Sequence, residues 1–530
     1  MLGGVYMELN ESIKKIRTDA KLSQENFAAL FDVSQQSVQK WENGSAVPEL
    51  SKLVKISKHF GVSLDALIMG NDNRMVEEMK NTATIRPQYE SIHNWEFYSS
   101  NLITEYTQST EEGLDIERYK DVFLSVAQLP KDEIKKKLGD VLFELVANAR
   151  QKEGYSYNEP SDLNGILALC SKHKDNIGKT APDADKITGA WYGRICGCML
   201  GKTVEGVRTH ELIPFLKDSE NYPMHRYIYS TDMEKTDLSK YKYGFASRAF
   251  ADKINGMPVD DDTNYLVLAQ LIIERYGRDF SPFDVSRAWL DRQKKDAYCT
   301  AERVAFCNFV KGYAPPASAV YKNPYREWIG AQIRGDYFGY INPGNPEKAA
   351  EMAWRDASIS HTKNGIYGEM FVSAMLAVAA VRNDMREIVL GGLDYVPRTS
   401  RLYEAISTIL SLHKAGTSEK ECFEYIHSKY DENTAHGWCH TIPNAMIVAA
   451  ALLYGNGDYG RSICMAVQTG FDTDCNGATV GSVIGMARGI DCIDKCWTDP
   501  INGILHTSIF GVGTVKIADM IEKTLKHASE

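Results

Sequence analysis

Residues 470–487 read GFDTDCNGATVGSVIGMA, an acidic pair followed at once by a run of small residues without proline. The run predicts a helix from about Gly477 to Ala487, and its small side chains allow close approach of a neighbour. Asp472 and Asp474 stand at the start of that helix, where backbone N–H groups favour a carboxylate. Spaced by one residue, they can aim at one point. A second group has the same layout: Asp260, Asp261 and Asp262 precede the apolar run Tyr265, Leu266, Leu268, Leu271 and Ile272. One aspartate there would be an N-cap. Three adjacent ones repel one another more than one helix end relieves, unless a cation sits among them. Oxygen-only clusters on two helix starts suit hard divalent ions, Mg2+ or Mn2+, better than zinc, and two ions could share such a site. On spacing alone the alternative stands that each group only caps its own helix or forms surface ion pairs.

Outward from these clusters the pattern stays helical. The stretches from Glu369 to Val381 and from Asn444 to Leu453 are apolar, alanine-containing and largely free of helix breakers, and no long β-branched alternation appears. An all-α fold is expected, with a C-terminal domain over 187–525. A chain of 530 residues exceeds what one core usually serves. Two further blocks precede it: a run of short helices over 7–70 and a polar, irregular connector over 71–180. Within the connector Ile134, Leu138, Val141, Leu142, Leu145 and Val146 recur at helical spacing after Pro130, which predicts one amphipathic helix serving as spacer or dimerising element.

In the first block Asn10 is expected to cap a helix that turns Ile13 and Ile16 inward. Ser23 precedes a helix carrying Phe27, Ala28 and Leu30, and Asp32-Val33 makes a short turn. Ser34 caps a third helix, residues 35–42, with Val38 and Trp41 on its apolar face, and Asn43-Gly44 ends it. A fourth helix after Pro48 carries Leu53, Ile56 and Phe60, and a fifth runs through Leu67. Two short helices joined by a tight turn, the second opening on polar residues, form a helix-turn-helix. A glutamine amide can pair bidentately with adenine in the major groove.

The net charge of −10 excludes a protein that coats nucleic acid along its whole length, so any DNA contact is local. Basic residues of the first block are offset by acids, and the alternative there is an oligomerisation module with solvated glutamines. No basic-then-apolar leader and no bilayer-length apolar stretch is present, and the eleven cysteines, all from Cys170 onward, lack CxxC spacing. A cytoplasmic chain with reduced thiols and no membrane partner is expected.

The segments GAWYGRICGCMLGKTVEG, DDDTNYLVLA, SHTKNGIYGEMF and GFDTDCNGATVGSVIG, in this order from Gly189 to Gly485, resemble the signature regions of the ADP-ribosylglycohydrolase family. The resemblance implies an all-helical domain with two Mg2+ ions below an ADP-ribose site. It assigns Asp260, Asp261, Asp262, Asp472, Asp474 and Cys475 to the metals, Glu205 to acid or base catalysis, and His361 and Gly365 to the substrate. Asp260 stands where the family more often has Thr, and Cys475 where it has a hydroxyl. A thiol is a poor partner for Mg2+, so the second ion would have fewer protein ligands or use Asn476. The run LSQENFAALFDVSQQSVQKWENGSAVPEL, beginning at Leu22, resembles the Cro/repressor-type helix-turn-helix. That implies a homodimer on a double-stranded DNA operator, read by Gln35 and Gln36 with Gln24 opening the preceding helix. Together these imply an Mg2+-dependent hydrolase of ADP-ribosylated substrates coupled to sequence-specific DNA binding. The alternative is a regulator whose C-terminal domain senses ADP-ribose or a related nucleotide without turnover.

Overall fold

Ser23 and Ser34 each turn a hydroxyl onto the helix that follows. Their Oγ atoms accept from Asn26 N and Ser37 N, both at 3.1 Å, and so fix the starts of α2 (Gln24–Leu30) and α3 (Gln35–Glu42). Asp32 takes a left-handed φ of 52° in the turn between them, and Gly44 (φ 74°) closes α3 as Ser45 N and Ala46 N reach back to Lys40 O. The structure, a computed structural model, describes residues 9–69, 87–171, 178–242 and 249–530. Met7 and Gly70, the expected edges of the first block, lie outside them. The described part of α1 (Leu9–Asp19) already includes Asn10, so Asn10 sits within the helix and is not its cap. With α4 (Leu50–Phe60) and α5 (Leu64–Met69) these helices enclose Ile13, Phe27, Val38, Trp41, Leu53 and Ile56.

The chain divides into two compact units, Met1–Tyr155 and Ser156–Glu530. In the first, the described residues after the helix-turn-helix include the α-helices Leu102–Glu111, Lys120–Ala127 and Glu133–Ala147. They share a core of Leu102, Phe123, Val126, Leu138 and Leu142, against which Val47, Leu64 and Ile68 pack. The expected amphipathic helix is present, capped by Asp132 onto Lys135 N, but Ile134 is 56% exposed rather than inward. Lys135 is buried there instead. Its Nζ donates to Ala127 O at 2.7 Å and Leu129 O at 3.0 Å, satisfying carbonyls at the end of the preceding helix.

The second unit is built on helices that are apolar all round and therefore lie inside. Lys363–Ala379 is buried from Asn364 onward, and Thr441–Gly455 is nearly as enclosed. Apart from the two-stranded hairpin Ile504–His506 with Thr514–Lys516, the described residues are helical or irregular. That hairpin holds the approach to the acidic triplet, since Met257 N donates to Ile504 O at 2.8 Å and His506 N to Met257 O at 3.0 Å.

Helices Ala184–Lys202 and Thr473–Arg488 run against each other through glycine. A Cβ on Gly193 would stand 2.2 Å from Gly481 O, one on Gly197 2.0 Å from Gly477 O, and one on Gly485 2.0 Å from Gly189 O. The obstacle is backbone in each case and cannot swing aside. The four-residue spacing puts these glycines on one face of each helix. Replacing Gly481 by Ala is expected to destabilise the protein by about 3 kcal/mol, the upper range for overpacking. Urea unfolding measures this. Because Ala exceeds Gly in helix propensity by about 1 kcal/mol, a more stable variant would refute the close packing.

Candidate active site

The glycine contact carries the two acidic clusters to one place. At its far end Gly201 lies against the backbone of Thr473 and Asp474, and Thr473 Oγ1 donates to Gly201 O at 2.9 Å. The C-terminus of one helix is thus held to the N-terminus of the other. Lys202 and Glu205 follow on the first, and Asp472, Asp474 and Cys475 open the second.

The third contributor is helix Asp261–Tyr276, capped by Asp260, whose Oδ1 accepts from Asp262 N at 2.9 Å. Two cations, the buried Arg194 and the half-buried Lys202, hold this turn. Arg194 donates from Nε to Asp262 O (2.9 Å) and from Nη2 to Asp262 Oδ1 (2.7 Å), and its Nη1 pairs with Asp336 Oδ2 at 2.9 Å. Lys202 Nζ lies 2.6 Å from Asp260 Oδ2. Burial opposes both charges, but the aspartates outweigh it and hold each cation protonated.

The carboxylates that remain are crowded. Asp262 Oδ2 and Asp474 Oδ1 are buried and receive no hydrogen bond. Ligand atoms of Asp262, Asp474 and Cys475 lie within 4.8 Å of one another, as do those of Cys198, Asp260 and Asp262. Burial, then the charges of Asp260, Asp262 and Glu205, push the Asp261 carboxyl well up. Burial, then Glu205 and Asp472, do the same to Asp474. Asp262 is pushed up to about 8, mainly by burial. Asp472 is also raised by burial. Orphaned carboxylate oxygens in a buried, mutually repelling set fit a hard divalent cation, and Asp262 and Asp474 would hold it. Cys475 is different in kind. Burial and the surrounding aspartates raise its thiol far above the ordinary range, which keeps it neutral and a weak ligand for such an ion.

Glu205 is half-buried in the turn after helix Ala184–Lys202, near enough for its charge to act on both Asp261 and Asp474. His361 belongs to a neighbouring network. Its ring is 1% exposed, Nδ1 lies 2.8 Å from Ser360 Oγ, and a Cβ on Gly365 would stand 2.9 Å from its Cδ2. Burial, then Arg334, hold the imidazole neutral. Arg334 itself joins Glu302 (2.9 Å) and Asp356 and stands over the ring of Tyr265, on the helix that Asp260 caps. Arg194, Lys202, Cys198 and Asp336 were not singled out from the sequence. The available signal was a charge inside the otherwise apolar, glycine-rich run around Arg194, which must find a buried partner.

In the first unit Gln35 and Gln36 are exposed at the start of α3. Gln24 is half-buried, and its Nε2 donates to Glu42 Oε2 at 2.7 Å. Arg17 holds the same carboxylate, with Nε to Oε1 at 2.5 Å and Nη2 to Oε2 at 3.1 Å.

Fold and site define an all-helical protein that joins a helix-turn-helix unit to a domain with a buried carboxylate centre. The family model described as ADP-ribosylglycohydrolase matches residues 179–528, and that described as helix-turn-helix matches 13–67. The chain belongs to the ADP-ribosylglycohydrolase family and carries a helix-turn-helix domain before it. Curated relatives match the N-terminal part. The HTH-type transcriptional activator BcrR of Enterococcus faecalis is 34% identical over 87 residues, 16% of this chain and 43% of that protein. The uncharacterized HTH-type transcriptional regulator YqaE of Bacillus subtilis (strain 168) is 36% identical over 67 residues, 13% of this chain and 58% of that protein. The SPbeta prophage-derived regulator YonR of the same strain is 40% identical over 60 residues, 11% and 56% of the two chains. The chain thus spans about half the length of the curated relatives it matches. A solved ADP-ribosylglycohydrolase-related protein complex aligns with TM-score 0.41 and 18% identity, covering 66% of this chain and 99% of its own. Among the described residues no helix is long and apolar enough to cross a membrane.

Proposed function

We propose that the chain hydrolyses the glycosidic bond between ADP-ribose and an acceptor, with Mg2+ or Mn2+ at the carboxylate centre, and binds a DNA operator as a homodimer in the cytoplasm. The observation that carries the hydrolase reading is the convergence of Glu205 with five buried or half-buried aspartates, two of which keep unsatisfied oxygens. Divalent ions bound there would supply Lewis-acid contact to ribose hydroxyls and lower the pKa of a water. Glu205 stands beside the cluster on a short turn and takes or gives the proton as charge develops on the sugar. Arg194 and Lys202 hold Asp262 and Asp260 in place and leave Asp262 Oδ2 without a hydrogen bond, available to an ion. The test is release of free ADP-ribose from a panel of ADP-ribosylated proteins, nucleic acids and small molecules. Chelation should abolish release and added Mg2+ or Mn2+ restore it; full activity after exhaustive chelation would sink the metal-dependent reading.

For DNA, the exposed Gln35 and Gln36 are assigned to base reading and Gln24, which opens the preceding helix, to steadying Glu42. Operator half-sites are expected about one helical turn apart. Changing Gln35 and Gln36 together to Ala should lose about 1–3 kcal/mol of discrimination per base pair read and leave non-specific binding largely intact. Titration on a site selected from random DNA measures both. Equal weakening on every sequence would remove the glutamines as readers.

A further inference from the structure

The first unit contains a cavity of about 730 Å3 behind the helix α3. Trp41 of α3 and Val47 of the following loop form one wall, and the half-buried Val141 and Leu145 of the helical layer, backed by its core, form the other. At its edge stand Arg118 and Arg150, both exposed, with Glu144 the single acid among the lining residues. The volume lies within the roughly 300–1,000 Å3 of small-molecule sites. An apolar body gains by leaving water for such walls, and the two guanidinium groups against one carboxylate favour a negative end at the mouth. The carboxylate centre of the other unit shares none of these residues.

We propose that this cavity is an effector site for an amphipathic organic acid, its apolar part among Val47, Val141 and Leu145 and its carboxylate at Arg118 and Arg150. The occupant would touch Trp41 and the loop through Pro48, which follows the DNA-reading helix directly. Filling the cavity therefore favours one placement of α3 over others, and operator affinity changes with it.

The test uses the full chain, with anilinonaphthalene sulfonate as fluorescent probe and decanoate and decanol as competitors. One saturable probe site per chain is expected, emptied by decanoate at lower concentration than by decanol. Leu145→Trp, at a half-buried lining position, fills the cavity and should abolish binding of all three. Arg118→Glu with Arg150→Glu leaves the core intact and should weaken decanoate about tenfold while decanol is unchanged. This second variant decides the matter even if the first does not fold. Saturating decanoate should change affinity for a DNA site selected from a random pool by about fivefold or more. Unsaturable probe binding, or decanoate binding indifferent to charge reversal, would overturn the site. Binding without any change in DNA affinity would overturn its effector role.

Discussion

Changing Glu205 to Gln is expected to slow release of ADP-ribose by about 10²–10⁴-fold while the protein still folds and still binds a divalent ion. The substitution keeps the size of the side chain and removes only its proton-accepting capacity and charge. Glu205 is not part of either close ligand triplet, so ion affinity should change far less than turnover. Its charge does bear on Asp261 and Asp474, raising both, and removing it makes those carboxylates easier to ionise. The change also takes away one negative charge that attracts the ion, so ion binding by the variant should weaken modestly, far less than turnover. Single-turnover assays paired with Mn2+ titration separate the two effects. Near-parental turnover would take the proton-transfer role away from Glu205. A parallel loss of turnover and ion binding would reassign it to the metal.

What could be read from the chain differs between local and distant causes. Helix starts at Ser23 and Ser34, and the stop at Asn43-Gly44, are set by interactions within a few residues, and there the expected and observed elements agree. The acidic clusters were legible for a related reason: their repulsion is visible in the spacing itself. Helix Leu102–Glu111 was not. Its buried face is Leu102, Glu105, Gln108 and Ser109, and Ser109 Oγ donates to Glu105 Oε1 at 2.7 Å, so no apolar period marks it. Ile134 misled for the opposite reason, an apolar side chain at helical spacing that the fold leaves in solvent. The partners of Arg194 lie 68 and 142 residues away, at Asp262 and Asp336, beyond the reach of any local pattern.

Replacing Asp474 by Asn is expected to lower affinity for Mg2+ or Mn2+ by about 100-fold or more, since losing a charged ligand should exceed the 10–100-fold typical of second-layer partners. The metal-free protein should not suffer equally. Asp474 is buried, its Oδ1 accepts no hydrogen bond, and Glu205, Asp472 and Asp260 all press on its charge. An amide there relieves repulsion, so the chelated variant should unfold at the same temperature as the chelated parent or above it. The two responses have opposite signs, which a general folding defect cannot produce. Acidity adds an independent check. Burial and the neighbouring aspartates push Asp262 up to about 8 in the folded, ion-free protein, against about 3.9 in an unfolded chain. Between these values the unfolded chain binds fewer protons, so stability of the ion-free parent should fall as pH rises from about 4 to about 8. An ion displaces that proton, and its affinity should climb over the upper part of the same range. The gap in unfolding temperature between ion-loaded and chelated parent is thus expected to widen as pH rises towards about 8, and to shrink sharply in the Asp474→Asn variant. A variant that binds Mn2+ as the parent does, with an unchanged gap at every pH, would remove Asp474 from the ligand set.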